Sequence, residues 1–383
     1  MRLAVLTSHP VQYYAPLFRE LTKHVNLHVF FSHNPSAEQQ AEAGFGTAFT
    51  WDIDLLCGYE HTFLNNVSKA PSTATFSGCD TPEIGRKLSD GKFDVVLSLG
   101  WHLKSLLQGT IAARRRGIPV IIRGDSQLRT SRGFAKRATK EAAYPLFLKL
   151  FSAAAYVGQH NRDYYRHYKY PEKRLFHSPH CVETERFSLG ATSEARAQKR
   201  NSLSVSDDTQ LVLFAGKLIP FKNPLDTVGA VAKLRQAGRK VELMIAGSGP
   251  LEEELIAAAA TENVPMHRLG FCNQSEMPGV YAAADILVVP STARETWGLV
   301  ANEALASGTP IAVSDEVGCA PDLAADGQAG GIYKMKDIEA LSALIDQTLK
   351  DPPSLRAIQQ KSAEHSIENA ARGILEAANW CIR

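Results

Sequence analysis

Much is missing from these 383 residues. No stretch of about 20 apolar residues occurs, so no segment reads as a membrane-spanning helix. The six cysteines, Cys57, Cys79, Cys181, Cys272, Cys319 and Cys381, are scattered along the chain. No two have the C-x-x-C spacing of a zinc or redox site, and their usage fits a reducing compartment. Charge of one sign is lacking too. The 42 Lys and Arg face 40 Asp and Glu, for a net charge of +2. That removes any global electrostatic basis for nucleic-acid binding. Short-period repeats and low-complexity tracts are absent. The opening MRLAVLTSHPVQYYAP holds a short apolar run, Leu3–Leu6. It is too short for a signal-peptide core and suits a first buried strand. A cytoplasmic protein is therefore expected.

What is present is ordinary globular composition, 44% hydrophobic and 21% charged, which argues against disorder. At roughly 100–200 residues per domain the length suits two domains. Short apolar runs alternate with longer helical patterns. Strands are expected at 3–8, 26–32, 93–100, 118–125, 154–159 and 174–179. After a polar connection at 188–208 the pattern restarts, with strands at 211–216, 241–247, 285–291 and 309–315. Continuous Val/Ile/Leu runs between helices signify parallel strands covered on both faces. The expected fold class is α/β: two doubly wound, Rossmann-like domains in tandem, with ligands at the carboxyl ends of the strands.

The densest signal is STARETWGLVANEALASGTPIAVS at 291–314. It follows a strand, opens a helix near Trp297–Leu299 and ends that helix at Gly308. Glu295 stands in the loop and Glu303 inside the helix, about 12 Å apart if the chain between them were helical. Carboxylates accept hydrogen bonds from sugar hydroxyls. The amides of Gly298 and Leu299 would meet a phosphate at the positive end of the helix. The same two glutamates also suit a plain amphipathic helix, as first-turn and solvated residues. In FAGKLIPFKNP (214–224), Gly216 follows a strand, and Lys217 and Lys222 could supply two cations to a diphosphate. They could equally flank a surface turn. The spacing is not that of a Walker loop. IAGSGPLEEEL (245–255) places Gly247 in a tight strand-to-helix turn. No third glycine and no acidic ribose ligand follow, which disfavours a dinucleotide fingerprint.

In this order, AGKLIPFKNP, IAGSGP, LGFCNQSEMPGVYAAADILVVPS and ETWGLVANEALASGTPIAVSDEVGCAPDL resemble the family 4 glycosyltransferases of the GT-B fold over about 120 residues. The resemblance implies two Rossmann-like domains with an interdomain cleft: an acceptor-binding domain at 1–185, a nucleotide-sugar domain at 186–365, and a terminal helix at 366–383 packing back on the first. It implies retaining transfer of a hexose-type sugar from a nucleotide diphosphate, UDP or GDP, to a glycan or lipid-linked acceptor. Lys217 (where the family usually has Arg) and Lys222 would hold the diphosphate. Glu295 and the Trp297–Val300 backbone would meet sugar and phosphate. Glu303 would accept the ribose hydroxyls, and the base would lie against Gly270–Phe271. No metal or other cofactor is implied.

The N-terminal half matches less closely. Where relatives often carry a Gly-Gly loop, this chain has SHPVQYYAP, which puts His9, Gln12 and Tyr13 on the acceptor side, where the acceptor or a donor phosphate would approach; His9 equally suits a plain strand-end hydrogen-bonder. Where many relatives have a His after the Ile-Pro-Val strand, this chain has IIRGDSQ. Asp125 falls near that position with Arg123 beside it, and is a candidate catalytic residue or a simple turn aspartate. GWH at 100–102 offers Trp101 for stacking on a sugar, or for the core, with His102 next to it. WDIDL (51–55) spells the Asp52-x-Asp54 metal motif of the other large glycosyltransferase fold, in a chain that otherwise does not match that fold. Residues 129–151 gather Arg129, Arg132, Lys136, Arg137, Lys140 and Lys149 among Phe, Leu and Tyr. They suit either an anionic membrane surface or a solvated helix followed by a core helix. An epimerase or hydrolase of the same fold, and a nucleotide- or glycan-binding protein without turnover, are the alternatives.

Overall fold

An apolar run without a polar face must be covered on both sides. In a computed structural model, which describes residues 1–36, 49–130 and 133–383, such runs occupy the middle of two parallel sheets. Residues 1–36, 54–180 and 367–383 form one compact unit, and residues 49–53 and 181–366 form another.

The first unit contains β1 (Arg2–Thr7), α1 (Ala15–Thr22), β2 (Asn26–Phe31), β3 (Glu60–Phe63), α2 (Ile84–Gly91), β4 (Val95–Leu99), α3 (Lys104–Arg115), β5 (Val120–Gly124), α4 (Phe134–Phe147), β6 (Ala153–Tyr156), α5 (Gln159–His167) and β7 (Leu175–His177). The seven strands lie in the order β3-β2-β1-β4-β5-β6-β7, all parallel. The second unit holds α6 (Thr184–Gly190), α7 (Ser193–Ser202), β8 (Gln210–Ala215), α8 (Pro224–Gln236), β9 (Val241–Ala246), α9 (Glu252–Thr261), β10 (Met266–Gly270), α10 (Met277–Ala283), β11 (Ile286–Val289), α11 (Leu299–Ala306), β12 (Ile311–Ser314), α12 (Ala320–Leu323), β13 (Gly330–Tyr333), α13 (Ile338–Lys350) and α14 (Leu355–Glu364). Its strand order is β10-β9-β8-β11-β12-β13, again all parallel. The chain ends in α15 (Ile367–Ile382), which packs on α1, β6 and β7 of the first unit.

Both sheets reverse direction once, between β1 and β4 and between β8 and β11. At such a switch point the two flanking loops leave the strands on opposite faces, and a crevice opens at the carboxyl edge. The strands beside the switch points are sealed: Val5, Val96, Leu213 and Leu287 are fully buried. β3, β10 and β13 were not foreseen. Each is an outer strand with one ladder partner, and their sequences EHTF, MHRLG and GGIY lack the unbroken apolar run of a strand covered on both faces.

The polar stretch at 188–208 is held by one buried cation. Arg200 of α7 donates to the carbonyls of Ala283, Ser206 and Thr209 and lies 3.5 Å from Asp285. This charge is almost fully buried yet well supplied with acceptors, as burial of a guanidinium requires.

Candidate functional site

The second unit's switch point assembles the strongest cluster. β8 runs into Gly216 and Lys217, then through a single 3-10 turn, Pro220–Lys222, into α8. β11 runs into the loop 290–298, which ends at α11. The two loops are sewn together. Thr292 donates its amide to the Phe221 carbonyl at 2.8 Å, and Asn223 Nδ2 reaches the Pro290 carbonyl at 3.3 Å. Lys222 Nζ forms an ion pair with Glu295 Oε2, which also accepts from the Ser291 hydroxyl at 3.3 Å. Lys217 lies within electrostatic reach of both partners. Its ammonium is held below the ordinary lysine range by burial first and by Lys222 second, with Glu295 opposing. Two ammonium groups against one carboxylate leave a local cationic excess suited to an anion.

Gly298 adopts φ +95° at the mouth of α11, a conformation that L side chains rarely take. The backbone around it is fixed by the Gly318 amide on the Glu295 carbonyl (3.1 Å) and the Cys319 amide on the Trp297 carbonyl (3.0 Å). The first turn of α11 thus opens beside Glu295, with Leu299 and Val300 supplying its leading amides. The Trp297 indole points inward: it is buried, donates to Asn302 Oδ1 at 2.7 Å and rests against His365.

Glu303 is set apart from the two lysines in its contacts. Its carboxylate is buried, accepts from the Tyr281 hydroxyl at 2.7 Å and is hydrogen-bonded by Gln274. Gln274 is gripped in turn by Arg186, which donates to its side-chain and main-chain oxygens. Burial holds Glu303 above the ordinary carboxylate range, against the pull of Tyr281, Arg186 and Gln274. Phe271, just past β10, lies against Phe49 with the rings 4.3 Å apart and tilted by 35°. The Gly247 amide donates to the Gly270 carbonyl at 2.7 Å, and a Cβ on Gly247 would lie 1.9 Å from the Gly216 oxygen. The carboxyl ends of β8, β9 and β10 are therefore closed side by side by three glycines whose backbones approach closely.

The first unit's switch point gathers His9 after β1, His33 after β2, His102 after β4 and Asp125 after β5. His9 takes a 2.9 Å hydrogen bond with Ser8. Its pKa falls to about 4, because burial and then the neighbouring His33 and His102 disfavour its cation. Burial also lowers His102, while Asp125 opposes. Tyr13 lies between Tyr14 and His180, and its hydroxyl is pushed well above the ordinary range by burial. Gln12 stands in the same turn, partly exposed. Arg123 is interior. It donates from Nε to Ser178 Oγ at 3.0 Å and from Nη2 to the Pro179 carbonyl at 2.9 Å. Trp101 packs with Phe147, Phe151, Tyr144 and Tyr164 at ring separations of 5.7–6.4 Å. Among these aromatic neighbours its contacts are those of a core residue.

Tyr281, Gln274, Arg186 and His33 were missed in the sequence. For His33 a signal existed: it follows an apolar strand, as His9 does. The other three become visible through contacts 22 to 88 residues apart. The Asp52-x-Asp54 pair divides. Asp52 bonds the Ser275 amide and hydroxyl, and Asp54 accepts the Leu56 and Cys57 amides of its own turn. Among the described residues no three His, Cys, Asp or Glu side chains gather in metal-binding geometry.

In the basic segment, Arg132 and the Lys136 side chain lie outside the described residues. Lys140 sits over Tyr144 (4.2 Å) and Tyr164, and with Arg129, Arg137 and His167 lines a cavity of about 450 Å³. Phe134, Ala135, Ala138, Ala142 and Leu146 are exposed, and all fall within about 120° of the α4 circumference.

Residues 195–370 match the model of a family described as Glycosyl transferases group 1. Over 222 residues the chain is 28% identical to a GDP-mannose-dependent alpha-(1-6)-phosphatidylinositol monomannoside mannosyltransferase of Mycolicibacterium smegmatis, covering 56% of this chain and 57% of that protein. Over 213 residues it is 32% identical to a D-inositol 3-phosphate glycosyltransferase of Corynebacterium glutamicum, covering 54% and 50%. The chain thus spans about half the length of the curated relatives it matches. Its fold is that of HepE from Anabaena, solved in complex with UDP, at a TM-score of 0.75 over 99% of this chain and 100% of that one, with 16% identity. The paired parallel sheets are those of the GT-B glycosyltransferases.

Proposed function

We propose a nucleotide-sugar-dependent glycosyltransferase, on the premise that this chain belongs, through residues 195–370, to the glycosyl transferases group 1. It moves a hexose-type sugar from a nucleoside diphosphate to a glycan or lipid-linked acceptor, with retention of configuration, in surface polysaccharide or glycoconjugate synthesis. The observation that carries this reading is the Lys217–Lys222–Glu295 cluster at the second switch point, inside the matched segment.

The chemistry asks mainly for stabilisation of the leaving group. Breaking the anomeric C–O bond leaves charge on the diphosphate, and Lys217, Lys222 and the first turn of α11 meet it there. These groups supply the neutralisation themselves, so the proposed route uses no metal. In the resting site Glu295 occupies Lys222. An arriving diphosphate takes over that ammonium, and the freed carboxylate accepts hydroxyls of the sugar. The sugar passes through an oxocarbenium-like state. The acceptor oxygen attacks on the departing face, the new C–O bond forms as the old one breaks, and the acceptor proton goes to the leaving phosphate oxygen. Glu303 accepts the ribose hydroxyls. His9, Gln12, Tyr13, His102 and Asp125 are assigned to the acceptor side. Arg123 and Trp101 serve there by supporting the fold.

The exposed apolar arc of α4 supports peripheral contact with an anionic lipid surface where such acceptors reside, with Arg137 about 60° round the helix from its edge, whereas Lys140 lies on the opposite face over Tyr144 and Tyr164. No helix among the described residues is long and apolar enough to cross a membrane.

Calorimetry with UDP, GDP and ADP, followed by transfer assays with sugar donors of the winning nucleotide, tests the proposal. Binding of none of the three removes the donor site. Release of free sugar or of an isomer without an acceptor points to a hydrolase or epimerase, and binding without turnover to a nucleotide-binding protein.

A further inference from the structure

A short piece of the first half of the sequence folds with the second unit, and its contacts fall on one loop. Asp52 accepts the Ser275 amide at 3.1 Å and the Ser275 hydroxyl. Asn273 Nδ2 donates to the Thr50 carbonyl at 2.8 Å. The Phe49 and Phe271 rings lie 4.3 Å apart at 35°, and Trp51 meets Phe49 edge-on at 4.9 Å. The contacts between this piece and the loop join residues more than 220 positions apart.

That loop, 270–275, does two further things. It carries Phe271 at the carboxyl end of β10, and it carries Gln274, the residue that hydrogen-bonds Glu303. From the lysine pair, the row of Gly216, Gly247 and Gly270 crosses the carboxyl ends of β8, β9 and β10 toward Phe271. At the end of that row lies the Phe49–Phe271 pair, its rings 4.3 Å apart and tilted by 35°. A nucleobase presents a π-face whatever its hydrogen-bonding edge, and stacks on such rings.

Resting on the donor reading above, we propose that the strap Phe49–Asp52 completes the nucleoside end of the donor site. Phe49 and Phe271 form the wall for the base. Asp52 is a positioning residue that fastens the strap and, through the loop, keeps Gln274 on Glu303. The side chains that set nucleoside affinity thus come partly from the half of the sequence that lacks the sugar-nucleotide motifs.

The test compares the full chain with its Phe49→Ala, Asp52→Ala and Asp52→Asn variants. The probes are UDP, GDP and ADP, and inorganic pyrophosphate as the competitor that lacks a nucleoside. Phe49→Ala and Asp52→Ala should each weaken the preferred nucleoside diphosphate about tenfold. Asp52→Asn should fall between them and wild type, and pyrophosphate should compete as before. With the preferred sugar donor, KM should rise while kcat holds. Unchanged or tighter nucleotide binding in Phe49→Ala overturns the proposal, as does equal weakening of nucleotide and pyrophosphate. Failure of the wild type to bind any nucleoside diphosphate is a different result, and removes the donor site itself.

Discussion

Replacing Lys222 with alanine tests the charge balance of the donor site. The Lys222 and Glu295 side chains are each 15% exposed, so their interaction is screened less than that of a surface pair. One ammonium about 4 Å from a phosphate oxygen, at an effective dielectric constant near 20, is worth about 4 kcal/mol. Relaxation and water entry reduce this, and the loss of one oriented donor to a developing charge typically costs about 2–4 kcal/mol. At about 1.4 kcal/mol per decade, kcat/KM should fall roughly 30- to 1000-fold. The variant also leaves the Glu295 carboxylate facing the diphosphate without its counter-ion. Adding Glu295→Ala should therefore recover part of the nucleotide affinity while leaving turnover low. The fold should also lose stability, by up to about 3 kcal/mol, because a largely buried carboxylate is left without its cation, while the Ser291 hydroxyl still bonds Glu295. Calorimetry, steady-state kinetics and a melting curve on the same samples separate these effects. Turnover within threefold of wild type, or no recovery of binding in the double variant, refutes the assignment.

Tyr281→Phe removes a hydrogen bond that stabilises ionised Glu303. It should raise that already elevated pKa further, so the added cost is absent where the carboxyl is protonated and grows as pH rises through its folded pKa. The variant should lose about 1–2 kcal/mol where Glu303 is ionised and little at pH 4; losses that do not change with pH in thermal melts would contradict this. His9 titrates near 4 in the folded chain and near 6.5 unfolded, so the unfolded state binds the extra proton between those values. Stability from this group is present above pH 6.5 and declines as pH falls toward 4, by up to about 1.4 kcal/mol per pH unit. His9→Asn should flatten that slope in denaturant titrations, and an unaltered slope counts against it. Gly247→Ala places a Cβ 1.9 Å from the Gly216 oxygen at φ +151°. It should cost about 3 kcal/mol or more in stability, and an unchanged melting temperature would show that the glycine row yields. Wild-type protein should sediment with anionic vesicles at low salt and lose this in Phe134→Ser/Leu146→Ser; absence of wild-type binding rejects the lipid contact.

Legibility in the sequence followed burial. Val95–Leu99, Leu211–Ala215 and Ile286–Val289 are covered on both faces, so each residue had to be apolar or small and the strands stand out as runs. Residues 60–63, 266–270 and 330–333 sit at sheet edges and mix polar or glycine residues with apolar ones. The lysine pair and Glu295 were legible because they lie just past such strands, where the chain must turn and ligands bind. Trp101 was open to a sugar or to the core and Arg123 stood by position on the acceptor side, yet their side chains are spent on packing and on main-chain acceptors.

The residues alone determined the alternation of sheet and helix, the restart of that pattern near 208, and the pairing of cations and acids at one strand edge. Such features are local, set by the period of apolar side chains and by the glycines and prolines that end each element. Only the folded chain decided that Glu303 lies against Tyr281 and Gln274, that three histidines crowd one strand edge, and that Asp52 serves Ser275. Those contacts join residues from 22 to 223 positions apart. A side chain's neighbours at such distances depend on how strands are ordered in the sheet, and no local pattern encodes that order.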